Sequence, residues 1–336
     1  MKILYAIQGT GNGHVSRARE IIPHLRMWGD VDIFLSGQNT NVELGLPIKY
    51  KSKGVSFYYN NSGSIDYLKT IKKLHLLQTC KEVRDFPIKD YDLVVNDFEF
   101  ISSWAAWYRN VPSIAFGHQA ALLSRQAPRP KGINLLGELI LKKYAPSSNA
   151  IGLHFEEYDD FIFKPIIRTE IRRIDVKHKN HYTVYLPAFG DTYLLDALKQ
   201  IQEIEWHIYS KYAKVKYAEG NVKIFPADNQ TFVKSMAECS GLLTNAGFES
   251  PAEALFLGKK VFVIPIHRQF EQECNAAALK KIGVPVAYKL DTNGIEKIRN
   301  WVRQGFAPKV FYPDITEKMI ERMLTNNEPY LMPSLI

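Results

Sequence analysis

The chain has 336 residues, 46% of them hydrophobic and 23% charged, which excludes a disordered polymer and predicts two domains of roughly 150 residues each. Its formal net charge is +8, yet residues 1–165 hold 20 Lys/Arg against 16 Asp/Glu and the remainder 23 against 19. A surplus spread so evenly argues against a nucleic-acid-binding arm, and no nucleic-acid partner is expected.

Lys2 to Gln8 reads as a buried first strand, with no signal-peptide core or cleavage site before it. No apolar run approaches the ~20 residues of a membrane-spanning helix. Cys80, Cys239 and Cys274 lack metal-ligand spacing and read as free thiols of a reducing compartment. Together these features predict a cytoplasmic protein. Gly9-Thr10-Gly11-Asn12-Gly13-His14 follows the strand, and then a helix through Arg17, Ala18, Ile21, Ile22 and Leu25. The loop is G-x-G-x-G, not the dinucleotide G-x-G-x-x-G. The second predicted strand, Val31 to Leu35, ends in Ser36-Gly37 rather than in an acid for a ribose. A dinucleotide site is therefore disfavoured. His14 either caps its helix or stands in a cleft, where an imidazole suits removal of a hydroxyl proton near neutral pH.

Lys49 to Lys89 carries a basic surplus; a solvated face is the ordinary reading and an anionic membrane surface the alternative. Within it, Leu68 to Cys80 has the stripe of an amphipathic helix. Leu93-Val94-Val95 predicts a short strand with Asp97 at its C-terminal end, where open α/β sheets face their ligands; capping of the next helix is the local alternative. A helix is expected over Ile101 to Tyr108 and a strand over Val111 to Phe116, after which His118 and Gln119 can face the same cleft. Ile133 to Tyr144 reads as a helix with Lys142 and Lys143 in its last turn. Ala150 to Phe155 predicts another strand, and steady periodicity then lapses over 166–182.

The second half restarts with a strand at Val184, a loop at Gly190-Asp191, a helix through Leu194 and Leu198, and strands over Ile204 to Tyr209 and Val222 to Phe225. Gly241-Leu242-Leu243 ends a strand, Asn245-Ala246-Gly247 turns, and a helix opens on Glu249-Ser250-Pro251. Its buried face is Ala254, Leu255 and Leu257; Gly258 stops it, and Val261 to Ile264 is the next strand. A strand, glycine turn and helix aim free N–H groups and a helix dipole at one spot suited to phosphate, although many such turns bind nothing. Strands alternating with helices predict an α/β chain of two doubly wound sheets.

Gly247-Phe248-x-Ser250-x-x-Glu253, then Pro265, then Glu271-Gln272-x-x-Asn275-Ala276 resembles the donor signature of GT-B nucleotide-sugar glycosyltransferases. It is similar to the glucuronosyltransferase type and to the peptidoglycan N-acetylglucosaminyltransferases of family 28. Gly-Thr-Gly-x-Gly-His resembles the first loop of the latter and of their lipid-glycosylating relatives, so the resemblance covers both halves. It implies two Rossmann-like domains facing a cleft: 1–165 for the acceptor, a linker at 166–182, 183–312 for the donor, and a last helix in 313–336 returning to the first domain. Gly247 and Ser250 would hold the diphosphate, with Asn245 and Phe248 beside them. Glu253 would take the ribose, and Glu271 and Gln272 the sugar. Gly11 and Gly13 would approach the diphosphate, Gly190 would present backbone to the donor, and Phe225 lies in the nucleobase region. His14 would be the base, Asp97 its partner, and His118 a residue on the acceptor side. Asn245 stands where many relatives have His and Glu249 where they have Asn; a carboxylate beside a diphosphate is unfavourable, so Glu249 is left unassigned.

The resulting expectation is inverting transfer of a sugar from a nucleoside-diphosphate sugar, uridine-linked by resemblance, to a hydroxyl acceptor that is lipid-linked or a glycan. No separate cofactor and no metal are expected, there being no Asp-x-Asp pair. The alternatives are a nucleotide-sugar epimerase of the same architecture and a non-catalytic nucleotide-sugar-binding protein.

Overall fold

The structure is a computed structural model that describes residues 1–37, 44–55, 76–132 and 134–325. Its first sheet contains β1 (Lys2–Gln8), β2 (Asp30–Ser36), β3 (Tyr50–Ser52), β4 (Leu93–Asp97), β5 (Ser113–Gly117), β6 (Asn149–Leu153) and β7 (Ile162–Phe163). They lie in the order β3-β2-β1-β4-β5-β6-β7 and every pairing is parallel. The second sheet contains β8 (His181–Tyr185), β9 (Glu205–Ser210), β10 (Tyr217–Glu219), β11 (Val222–Pro226), β12 (Gly241–Thr244) and β13 (Lys260–Val263), in the order β10-β11-β9-β8-β12-β13. Only β10 runs antiparallel, as the outer half of a hairpin with β11. This is the GT-B architecture, two Rossmann-like doubly wound sheets. In each, strand order reverses beside the first strand, between β1 and β4 and between β8 and β12. Ligand crevices form at the C-terminal ends of such strands.

Composition explains the central strands. In β1 all residues but Lys2 are buried, so the run from Ile3 to Ile7 is continuously hydrophobic rather than alternating. One apolar cluster extends from Ile3, Tyr5 and Ile7 through Phe155 and Phe248 to Leu242, Val261 and Val263. The two sheets therefore share a core and not merely a polar seam. The other face of the second sheet carries its own cluster around Tyr182, Val184, Trp206 and Ile208.

The predicted helices after β1, β4 and β12 occupy Asn12–Leu25, Phe100–Arg109 and Glu249–Phe256. Gly258, at φ +69°, ends the last of these as a left-handed stop. Helix Phe270–Lys281 escaped the sequence reading because it has no single apolar face. Phe270, Gln272, Cys274, Asn275, Ala276, Ala278 and Leu279 are all buried around it. The short strands β3, β7 and β10 and the helices Asn229–Glu238 and Thr292–Gln304 were likewise not anticipated. Of the amphipathic segment at 68–80, residues 68–75 lie outside the described residues, and the described helix there is Leu76–Asp85. Ile133, at the start of another predicted helix, and 326–336 of the tail also lie outside. The chain crosses between the sheets from Phe163 to His181, with a helical turn at Thr169–Arg172. Helix Thr316–Thr325 packs on helix Asn12–Leu25 of the first domain. No helix among the described residues is long and apolar enough to cross a membrane.

Candidate active site

Gly11 precedes helix Asn12–Leu25 in an extended conformation and supplies no side-chain cap, so no capping side chain occupies the first-turn N–H groups. Helices Asp191–Leu198 (after Gly190) and Phe270–Lys281 (after Gln269) begin the same way, and Glu249–Phe256 likewise lacks a side-chain cap, although Phe248 before it is already helical. In contrast, Glu99 and Asp228 cap the helices after β4 and β11. A Cβ added at Gly11, Gly190 or Gly247 would meet nothing within 4 Å. Open space thus lies against backbone at three of the uncapped starts. Gly13 is different: a Cβ there would stand 2.5 Å from the Glu249 Oε2, so glycine permits the two domains to touch.

His14, in the first turn of its helix and 8% exposed, meets the end of β4. Its Nδ1 lies 2.7 Å from Asp97 Oδ1. Asp97 is fully buried and also accepts from Arg17, whose Nε is 3.1 Å from Oδ2 and whose Nη2 is 2.7 Å from Oδ1 and 3.0 Å from Oδ2. Burial alone would raise the Asp97 carboxyl; Arg17 and His14 outweigh it and hold the group at about 2. Arg17 spends Nη1 on Glu249 of the second domain. It lies three residues after His14 on one helix face, a spacing that could have flagged it.

His118 and Gln119 follow β5 and meet the start of helix Phe270–Lys281. His118 Nε2 is 2.7 Å from Glu271 Oε1, and Gln119 Nε2 donates to Glu271 Oε2 at 3.0 Å. Gln119 Nε2 also lies 3.3 Å from His14 Nε2. Burial would raise Glu271 too, but His118, with His14 and Gln119 behind it, holds that carboxyl at about 2. His118 stacks on Phe248, rings 5.1 Å apart at 12°. The structure therefore brings His14, Asp97, His118, Gln119, Phe248 and Glu271 into one seam and adds Arg17 and Glu249 to it.

The remaining signature residues mostly support backbone. Gln272 Oε1 accepts from the Ile266 N–H at 2.9 Å. Asn245 Nδ2 donates to the Ile264 carbonyl at 2.7 Å and Asn275 Nδ2 to the Ala246 carbonyl at 3.1 Å. Ser250 lies half-buried in the first turn of its helix. Glu253 is 2% exposed and forms a two-pronged pair with Arg168, at 2.5 and 2.8 Å; burial still leaves its carboxyl raised. Phe225 sits apart, its ring stacked on Tyr209 at 5.3 Å and 13°. It borders a cavity of about 530 Å³ with His181, His207, Lys216 and Lys234. This cavity is the part of the second sheet's face left bare beside helix Asn229–Glu238, and it excludes His14 and Asp97. Among the described residues no cluster of three or more His, Cys, Asp or Glu could hold a metal ion.

The sequence model of the family described as glycosyl transferase family 1 matches residues 1–304. No curated protein sequence matches the chain. The fold is similar to that of the UDP-GlcNAc 2-epimerase of Neisseria meningitidis, solved bound to UDP-GlcNAc, with TM-score 0.60 and 14% identity over 97% of this chain and 100% of that one. It is similar to the spinosyn forosaminyltransferase SpnP, with TM-score 0.58 and 12% identity over 96% and 98%. MurG of Acinetobacter baumannii gives 0.51 and 16% over 95% and 94%.

Proposed function

Because the chain belongs to glycosyl transferase family 1, we propose that its cleft moves a sugar, with inversion, from a UDP-sugar to an acceptor hydroxyl. The observation that carries this reading is the 2.7 Å contact between His14 Nδ1 and Asp97. With Nδ1–H given to the carboxylate, the lone pair is on Nε2, which faces Gln119 across 3.3 Å. An acceptor hydroxyl taking that place would lose its proton to Nε2 as its oxygen attacks the anomeric carbon, and Asp97 would steady the imidazolium. The carbon–oxygen bond to the diphosphate breaks on the opposite face, which inverts the centre. The departing phosphate charge would fall to the uncapped helix starts near Gly11, Gly190 and Gly247, fixed dipoles that need no reorganisation.

Glu271 remains a carboxylate throughout the physiological range and would accept from sugar hydroxyls, with Gln272 beside it. Glu253 would take ribose hydroxyls on the lone pairs that Arg168 leaves free. Phe225 would border the nucleobase region. For the first domain, peripheral contact with a membrane is supported by the exposure of Leu135, Leu136 and Leu139 on a helix ending in Lys142 and Lys143. The linker at 166–182 would join an acceptor domain to a donor domain of 183–312.

A second reading is favoured by the epimerase of like fold: the same cleft inverting C2 of the donor sugar without an acceptor. Thermal shift against UDP-glucose, UDP-galactose, UDP-GlcNAc and the dTDP-linked sugars identifies the donor, because a ligand of the native state raises the melting temperature. Proton NMR of the bound donor then separates the readings. Acceptor-dependent UDP release with a new anomeric signal supports transfer. A 2-epimer formed without acceptor supports the rival, and the absence of any shift removes both.

A further inference from the structure

Glu249 is the residue that departs from the family's asparagine in the donor signature, and the structure gives its carboxylate a definite partner. It touches Gly13 across the cleft and pairs with Arg17 Nη1. Arg17, with a side chain 2% exposed, already binds both oxygens of Asp97 through Nε and Nη2. One guanidinium therefore spans from the base's partner in the first domain to the phosphate-side helix of the second. Only a planar fork with fixed donors can hold two carboxylates in this way. We propose that Arg17 and Glu249 are positioning residues that make His14 a competent base only when the donor domain is closed on it.

Charge balance gives the physical reason. In the first domain alone, Arg17 and Asp97 neutralise each other beside His14. Closure adds the Glu249 carboxylate, so the trio of Arg17, Asp97 and Glu249 carries one uncompensated negative charge, with the Glu271 carboxylate across the seam. A proton arriving on His14 offsets that charge, which is what a base in the transition state requires. Geometry acts in the same direction. Nη2 and His14 Nδ1 both converge on Asp97 Oδ1, at 2.7 Å each, so the guanidinium decides where that oxygen sits. Gly117, at φ +112°, makes the room: a Cβ there would stand 2.9 Å from Arg17 Nη2 and 3.0 Å from Asp97 Oδ1. The Phe116 ring closes the site from another side, its centroid 5.8 Å from the guanidinium carbon. His118 and Glu271 face His14 from across the seam and are untouched by the substitutions below.

This inference rests on His14 being the base, so its test needs one readout that requires no substrate. The full chain with 15N-labelled histidine is compared with Glu249→Gln, Arg17→Lys and the double variant, His14→Ala identifying the His14 resonances. A Nδ1–H tautomer is expected in the wild type. Glu249→Gln, which keeps the shape and removes the charge, is expected to shift the His14 ring nitrogens, and Arg17→Lys to shift them further. In turnover with whichever UDP-sugar binds, Glu249→Gln should lower kcat about tenfold, a coupling of ordinary size. Arg17→Lys should lower it about 100-fold, the effect of a misplaced group. The double variant should lose about as much as Arg17→Lys alone, because the two act as one unit. Donor affinity by calorimetry should change little in either single variant. Unchanged His14 resonances in Glu249→Gln would overturn the proposal. So would losses that multiply, or a fall in donor affinity equal to the fall in kcat, which would make Glu249 a donor ligand instead. If no UDP-sugar binds the wild type, the transfer reading fails, and the resonances still decide the coupling.

Discussion

At the scale of single residues, His14 and Asp97 form a contact between side chains 83 positions apart, and the proposed chemistry depends on it. His14→Ala is expected to lower turnover by about 100- to 10,000-fold with donor affinity little changed. Asp97→Asn should lower it as well, and the double variant should lose far less than the product of the two, as steady-state kinetics on the identified acceptor would register. Asp97 also ties stability to acid. Its folded carboxyl lies below the ordinary 3.8, at about 2. The stabilisation is therefore present above about pH 4 and is lost as pH falls through about 2, with a size on the order of 2 kcal/mol. In Asp97→Asn that segment of the unfolding-versus-pH curve should flatten, read by denaturant titration at each pH. Glu253→Ala is expected to weaken donor binding by about 1–3 kcal/mol, the cost of hydroxyls left unpaired. Unchanged affinity in calorimetry, with the fold intact, would leave Glu253 as only the partner of Arg168.

At the scale of elements, the contrast is between helix starts that spend their N–H groups on a side chain and starts that do not. Glu99 accepts from the Ile101 and Ser102 N–H groups, and Asp228 from that of Thr231; both helices are finished structures. The glycine-led starts at Gly11 and Gly190 are left open, as a site for a polyanion requires. The junction of β5 with the short helix His118–Ala121 is as demanding. Gly117 turns there with a positive φ and with Arg17 and Asp97 against it. Gly117→Ala should cost about 1–3 kcal/mol of stability through backbone strain. It should also cut turnover by more than that loss explains, because Arg17 and Asp97 must shift. A melting curve and a kcat taken on the same preparation test both halves.

At the scale of the whole molecule, two sheets share one apolar core, and the last described helix lies on the first domain. Met319, Ile320 and Met323 are buried in the cluster that also holds Ile21 and Ile22. Ile320, fully buried, has no solvent to retreat into. Ile320→Ala is therefore expected to cost about 2–5 kcal/mol in denaturant unfolding. One cooperative transition for both domains is expected in wild type and variant alike, since the core is continuous.

The sequence by itself determined what near neighbours can encode. Apolar runs marked β1, β4 and β13; glycines marked the turns after β1, β8 and β12; and the signature from Gly247 to Asn275 marked the family. Periodicity failed where burial is all round, as in helix Phe270–Lys281, and where strands are two or three residues long, as in β3, β7 and β10. The tertiary structure alone decided which charges meet. Arg17 and Glu249 are 232 positions apart and His118 and Glu271 are 153 apart, and neither pair lies within one motif. Their partnership follows from how two sheets close on a shared core, and hydrophobic packing that carries no directional information about charge sets that closure.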